Sequence, residues 1–177
     1  MMRRSPLEYN SSMITIAPLR PDQIADAKSV ITAVAQRIFE PDKPADEFSI
    51  ALDEEHELRD VDDFEQIYAG DRGLFLAVME DGRLVGTGAI KPLTAEAAEL
   101  KRLWLLEEYH GQGIGYQVVM RLFEFARQAG YNRVCLQTSL MQVRAIAFYK
   151  RIGFVEVPDY HESPYDDDIS LEIHLNP

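Results

Sequence analysis

The chain has 177 residues and a formal net charge of −12, from 18 Lys and Arg against 30 Asp and Glu, with 46% hydrophobic content. That length suits one compact domain with a sizeable core, and the hydrophobic share is too high for a disordered acidic chain. The composition lacks the basic footprint of a nucleic-acid binder, a polybasic face for anionic lipid, and any apolar run near the roughly 20 residues of a membrane span.

The N-terminus, Met1-Met2-Arg3-Arg4, continues into Ser5, Pro6, Glu8 and Asn10 rather than an apolar signal core. Residues 1–12 read as a flexible tail and 13–177 as a single domain. The single Cys135 excludes an internal disulfide framework and a cysteine-based metal cluster. A soluble cytoplasmic domain without a metal is the expectation.

Ile14-Thr15-Ile16 alternates as a short strand does. Pro21 opens a helix predicted to run through about Phe39, with Ile24, Ala27, Val30, Ile31, Val34 and Ile38 as its apolar stripe. Pro41 and Pro44 end it. Between Glu40 and Glu65 stand twelve carboxylates against Lys43 and Arg59, so this segment carries ten of the twelve net negative charges. A short helix is expected near Asp62–Ala69, then a turn at Gly70–Gly73. Asp81-Gly82 is a hairpin turn between strands Leu74–Glu80 and Arg83–Ile90.

Lys91–Ala98 reads as a loop and Glu99–Leu106 as a strand. The loop Glu107–Gly113 leads into an amphipathic helix over about Ile114–Ala129, which Gly130 ends. Val134–Gln137 reads as a buried strand, Val143–Ile152 as a helix stopped by Gly153, and Phe154–Val157 as a strand. Pro158–Asp168 is a polar loop before a last strand, Ile169–Leu175. This order predicts an α/β architecture with a mixed sheet and helices on both faces.

The most informative stretch is Tyr109-His110-Gly111-Gln112-Gly113-Ile114-Gly115, between a strand and a helix. Glycines let the backbone approach a ligand closely, and the first amides of the helix have no internal partners. With the helix dipole they form an anion site suited to phosphate oxygens. An acidic protein can thus hold a polyanion through backbone donors. The dinucleotide fingerprint fails here, since it requires glycine at Tyr116, and no Lys-Ser/Thr pair follows as in an ATP-binding loop.

At these residues the chain resembles the GNAT N-acetyltransferase superfamily, and the resemblance runs from Met13 onward. The family signature, Gln/Arg-x-x-Gly-x-Gly/Ala, aligns with His110-Gly111-Gln112-Gly113-Ile114-Gly115. Gly113 and Gly115 match, while His110 replaces the usual Gln or Arg. A second block, Gln142-Val143-Arg144-Ala145-Ile146-Ala147-Phe148-Tyr149-Lys150-Arg151-Ile152-Gly153-Phe154, is similar to the family's Asn-x-x-Ala-x-x-Phe-Tyr-x-x-x-Gly-Phe. The resemblance implies a central twisted mixed sheet of six to seven strands flanked by about four helices.

It also implies acetyl-CoA as acyl donor and a primary amine as acceptor, with homodimers common in the family. Implied cofactor-binding residues are Leu103, Trp104 and Leu105 on a bulged strand, His110, Gly111, Gln112, Gly113, Ile114, Gly115 and Tyr116 at the helix start, and Gln142, Ala145, Phe148, Tyr149 and Arg151 on the second block. The Leu105 amide is the implied partner of the thioester oxygen. Glu99 stands in the position of the general base used by some members, and Tyr149 in that of the general acid. Lys101, Arg102, Arg144, Lys150 and Arg151 are sources of charge for the coenzyme's ribose phosphate.

Acceptors in this family enter between segments that correspond to Glu40–Glu65 and Pro158–Asp168. Their acidity points to a cationic amine, small molecule or peptide. An acyl-CoA-binding sensor or scaffold without turnover, and transfer of a longer acyl chain, fit the same residues. Cys135, on a predicted buried strand, has no expected catalytic role.

Overall fold

Strand β1 (Ile14–Pro18) leads through a 3-10 turn at Pro21–Gln23 into α1 (Ile24–Phe39). This computed structural model describes residues 13–68, 70–163 and 165–175; the expected tail 1–12 lies outside them. Proline at 21 suits the first turn, where no internal hydrogen bond is lost. Ala27, Val30, Ile31 and Ala35 supply the buried stripe of α1, with Thr32 beside them. The acidic stretch holds α2 (Ala45–Glu54), α3 (Arg59–Asp62) and α4 (Phe64–Ile67).

Helix α2 departs from expectation, because its ten residues offer only one buried side chain, Phe48. Asp46 and Glu47 in its first turn suit the positive end of the helix dipole. What reads in sequence as a charge cluster is thus partly helix-start chemistry. The single helix expected near Asp62–Ala69 is instead the pair α3 and α4; Ala69 lies outside the described residues.

The sheet is completed by β2 (Leu74–Glu80), β3 (Arg83–Pro92), β4 (Ala97–Leu105), β5 (Arg133–Ser139), β6 (Val155–Val157) and β7 (Asp168–His174), in the spatial order β1-β2-β3-β4-β5-β7-β6. Helices α5 (Ile114–Gln128) and α6 (Val143–Arg151) flank β5 in sequence. Neighbouring strands are antiparallel except β4 and β5, which run parallel. The loop expected over Lys91–Ala98 contracts to four residues, since β3 extends to Pro92 and β4 begins at Ala97.

Leu84 through Ile90 are buried without interruption, so both faces of β3 are covered. Helices α1 and α5 both pack on this strand. Gly88 marks the tightest point: a Cβ there would lie 2.5 Å from Val118 Cγ1 on α5. Substituting alanine at Gly88 is expected to cost about 1–3 kcal/mol through overpacking, read as a lower urea midpoint. Among the described residues no helix is long and apolar enough to cross a membrane, and no group of three or more His, Cys, Asp or Glu could hold a metal ion.

Candidate active site

Strands β4 and β5 pair only at Ala97, Ala98 and Glu99, opposite Arg133, Val134 and Cys135. Beyond that point β5 continues against β7 as far as Ser139, while β4 follows β3. The two strands therefore part toward their carboxyl ends. A bulge drives the divergence, since the step from Thr87 to Ala89 on β3 faces the longer step from Trp104 to Lys101 on β4.

Arg102 sits in the bulge at φ +55°, a left-handed conformation unusual for a residue with a side chain. Its carbonyl accepts a hydrogen bond from Thr87 Oγ1 at 2.7 Å. Its guanidinium donates to Asp60 Oδ2 at 3.0 Å and Oδ1 at 2.6 Å, and to the Glu57 carbonyl at 2.5 Å. Asp60 also accepts from the Tyr68 hydroxyl. Burial favours the neutral carboxyl of Asp60, but the Arg102 contact more than reverses this and holds it below its ordinary value.

Past the bulge the Leu106 N–H donates to the Val85 carbonyl at 3.0 Å. Strand alternation then turns the N–H groups of Leu105 and Leu103 toward the gap. The side chain of His110 folds back over the strand end, with Nε2 2.8 Å from the Leu105 carbonyl. A carbonyl only accepts, so this nitrogen carries the proton. His110 thus fastens the loop to β4.

The glycine loop opens directly from that point. Gly111 and Gly113 both have φ +76°, and Gly113 caps α5 in the left-handed conformation. The helical ladder starts with Gln117 N–H donating to the Gly113 carbonyl, leaving the amides of Ile114, Gly115 and Tyr116 ahead of it. Gly115 is helical, and a Cβ built there meets nothing within 4 Å. Among the described residues no packing requires glycine at this position, where it costs the helix about 1 kcal/mol relative to alanine. Tyr116 is exposed beside it.

Across the gap, Gln142 precedes α6 and Tyr149 is buried on it, packed edge-on against Phe154 with ring centroids 5.5 Å apart. Burial raises the Tyr149 phenol above its ordinary value, so it stays protonated. Among the described residues its hydroxyl has no hydrogen-bond partner. Ala145 and Phe148 are half-buried on the same helix, and Arg151 is exposed with its guanidinium over the Phe148 ring.

The gap widens into a cleft of about 380 Å3 that brings together Glu99, Leu103, Trp104, Gln142 and Tyr149. Leu105 and the segment His110–Tyr116 lie beyond its lining, at the carboxyl end of β4, and Ala145, Phe148 and Arg151 lie outside it on α6. Of the five cationic residues expected near a ribose phosphate, Arg102 is committed to Asp60 instead.

Glu99 lies on the cleft floor, 3% exposed. Its Oε1 accepts from the Tyr160 hydroxyl at 3.2 Å and contacts His161 Nε2 at 3.1 Å, while Oε2 lies 3.3 Å from Lys91 Nζ. Burial pushes the carboxyl up, but Lys101, Lys91 and His161 together outweigh it and set the group below its ordinary value. Sequence reasoning left Tyr160 and His161 unremarked in a polar loop. Glu99 reaches them only because β4 enters the gap from one side and the β6–β7 connection from the other. Cys135 next door is pushed up to about 12 by burial, with a further contribution from Glu172, so it is a neutral thiol.

The acidic segment is less concentrated on the cleft than its sequence suggests. Asp53 and Asp62 pair with Lys28, Asp63 with Arg59 and Glu40 with Lys43. From this segment only Glu57 lines the cleft, joined there by Glu162 and Asp168. The Tyr165 hydroxyl donates to Glu57 Oε1 at 2.7 Å, linking the two acidic segments.

The family model described as Acetyltransferase (GNAT) family matches residues 35–154. An uncharacterized N-acetyltransferase, YjgM, of Escherichia coli is 29% identical over 119 residues, covering 64% of this chain and 71% of that protein. N-acetyltransferase 8B of Rattus norvegicus is 34% identical over 110 residues, covering 59% of this chain; the match spans only 50% of that relative's length. An acetyltransferase of the GNAT family from Staphylococcus aureus superposes with a TM-score of 0.77 at 18% identity, over 93% of this chain and 100% of the other. The PaiA N-acetyltransferase from Thermoplasma acidophilum, solved in complex with coenzyme A, gives 0.72 at 20% identity over 92% and 99%. With the parted strands, the glycine loop and a family match over most of its length, this chain belongs to the GNAT family of acetyltransferases.

Proposed function

We propose that this chain moves an acetyl group from acetyl-CoA directly to a primary amine, and that the acceptor is cationic. The observation that carries the reading is the parting of β4 from β5 beyond Glu99, with the uncrowded glycine start of α5 following the carboxyl end of β4. The residues fit the donor. The amides of Ile114, Gly115 and Tyr116, with the α5 dipole, suit a pyrophosphate, and the absent Cβ at Gly115 leaves room for its approach. The cleft falls in the size range of small-ligand sites.

In this reading the edge of Leu103, Trp104 and Leu105 binds the pantetheine arm, and the Leu105 N–H stabilises charge on the thioester oxygen. Gln142 just ahead of α6, with Ala145, Phe148 and Arg151 on it, flanks the arm, while His110 holds the loop through its bond to Leu105. Tyr149 keeps its proton and has no competing partner among the described residues, so it supplies a hydrogen bond to the departing thiolate. A thiolate whose conjugate acid has a pKa near 8.5 is a weaker base than ordinary phenolate near 10, and burial widens that difference. Tyr149 is therefore a stabilising donor more than a full proton source.

Glu57, Glu162 and Asp168 at the cleft support a cationic acceptor. Mixing the protein with acetyl-CoA and a panel of amines should release free thiol, fastest with di- and polycationic amines. For those acceptors kcat/KM should fall about threefold or more between roughly 0.05 and 0.5 M salt. Salt-independent rates, or preference for anionic amino acids, would remove the charge argument. Saturable coenzyme binding without thiol release on a broad panel would leave a binding module instead.

A further inference from the structure

We propose that His161 is the group that takes the proton from the acceptor amine, and that Glu99 is its positioning residue rather than the base itself. This rests on the transfer reading above and assigns the proton path within the same cleft.

A protonated alkylamine has a pKa near 10.4, so at pH 7 only roughly one molecule in a few thousand is neutral and nucleophilic. The base must therefore reach the cleft and hold a free lone pair. Glu99 borders the cleft but meets the second condition poorly. It is 3% exposed, and its two oxygens are engaged by Tyr160, His161 and Lys91. Its depressed basicity weakens it further as an acceptor.

His161 has the complementary properties. Its ring lines the cleft with 42% of the side chain exposed. Because Nε2 lies 3.1 Å from a carboxylate that can only accept, Nε2 carries the hydrogen and Nδ1 of the neutral ring keeps its lone pair. Tyr160 packs against the ring with centroids 4.4 Å apart, and the His161 carbonyl accepts from Gln137 Nε2 on β5 at 2.9 Å. The imidazole is thus held on both its backbone and ring sides. A buried carboxylate that fixes the tautomer and orientation of a histidine is the positioning logic of hydrolase triads.

The surrounding charges are mixed. From β3 and β4 come Lys91 and Lys101 beside Glu99 itself. From the loop and β7 come Tyr160, Glu162, Tyr165 and Asp168, from the α2–α3 connection Glu57, and from β5 the neutral Cys135.

The step balances simply. Nδ1 of His161 removes one proton from the ammonium group, and the freed amine lone pair forms the C–N bond to the acetyl carbonyl. The C–S bond then breaks. The second nitrogen proton goes to the thiolate through water, and the imidazolium returns its proton to solvent.

The test compares His161→Ala, His161→Gln and Glu99→Gln with the parent in steady-state kinetics from pH 5 to 9. Both His161 variants should lose at least tenfold in kcat with the KM for acetyl-CoA within about twofold, and the acid limb of kcat/KM should disappear. Added imidazole should restore part of the rate in His161→Ala. In Glu99→Gln the limb should persist while kcat falls, because the ring loses the partner that holds its tautomer. Coincident thermal unfolding curves would confirm that the variants fold. A kcat within twofold of parent and an unchanged limb in both His161 variants would overturn the proposal.

Nitrogen-15 NMR of the histidine rings gives a readout independent of turnover. An Nε2–H tautomer at His161 that responds to Glu99→Gln supports the pair; an Nδ1–H tautomer overturns it. A parent protein that binds acetyl-CoA but acetylates no amine would sink the transfer reading, and the NMR result would still decide the pairing.

Discussion

Glutamate at position 115 is expected to make the protein more stable and unable to bind acetyl-CoA. Gly115 stands in the first turn of α5 with nothing within 4 Å of an added Cβ, so folding meets no obstacle. Removing a helical glycine contributes about 0.5–1 kcal/mol, and a carboxylate at the positive helix end about 0.3–1 kcal/mol more. For a chain of this size that amounts to roughly 2–5 °C in Tm. The same carboxylate would occupy the phosphate position proposed above and repel its charge. Calorimetry should show acetyl-CoA affinity reduced by at least about 100-fold, a loss near 3 kcal/mol. Retained affinity in Gly115→Glu would mean that the phosphates do not sit on this helix end.

Breaking the buried pair at the bulge should give the largest loss of stability. Arg102 and Asp60 have side chains only 16% and 15% exposed, and removing one partner leaves the other desolvated. Arg102→Ala is expected to cost about 3–5 kcal/mol in urea denaturation. Arg102→Gly should lose the same guanidinium but relieve the left-handed backbone, recovering about 1 kcal/mol relative to alanine. Acid should narrow the difference between parent and variant. The lowered pKa of Asp60 contributes stability that is present above its unfolded value, near 3.9, and is lost as pH falls through the folded value. Without Arg102 that contribution is already gone. A gap that stays constant from neutral pH to pH 3 would show that the carboxylate is not the source of the effect.

Much of the sheet was legible because its signals are local. Asp81-Gly82 marks the β2–β3 hairpin through the turn conformation it permits, and Asp81 and Gly82 both have positive φ. The amphipathic period of α5 and its closing glycine are equally self-contained. Helix α2 escaped because its single buried residue leaves almost no stripe, and its carboxylates read as surface charge. The bulge was legible only through resemblance. No local preference places arginine at positive φ, and the partner that holds it there is 42 positions away.

The same distinction separates the parts of the site. The glycine loop and the Tyr149 helix are contiguous segments whose spacing survives in sequence. The Glu99–His161 contact joins positions 62 apart, brought together by strand order rather than spacing. A lone histidine in a polar loop gives no sign of a carboxylate beneath it. A search for ionisable residues in the connection facing the parted strands would have raised it as a candidate, since the resemblance already placed Pro158–Asp168 beside the acceptor.

Three paired positions, Ala97 to Glu99 against Arg133 to Cys135, are the whole ladder between the two halves of the sheet. Such a narrow seam concentrates local opening, because few inter-strand bonds must break for one plate to tilt on the other. A molecule bonded to both lips would act as a removable staple. Amide exchange along β4 and β5 should therefore slow when the donor is added, well beyond the residues that touch it.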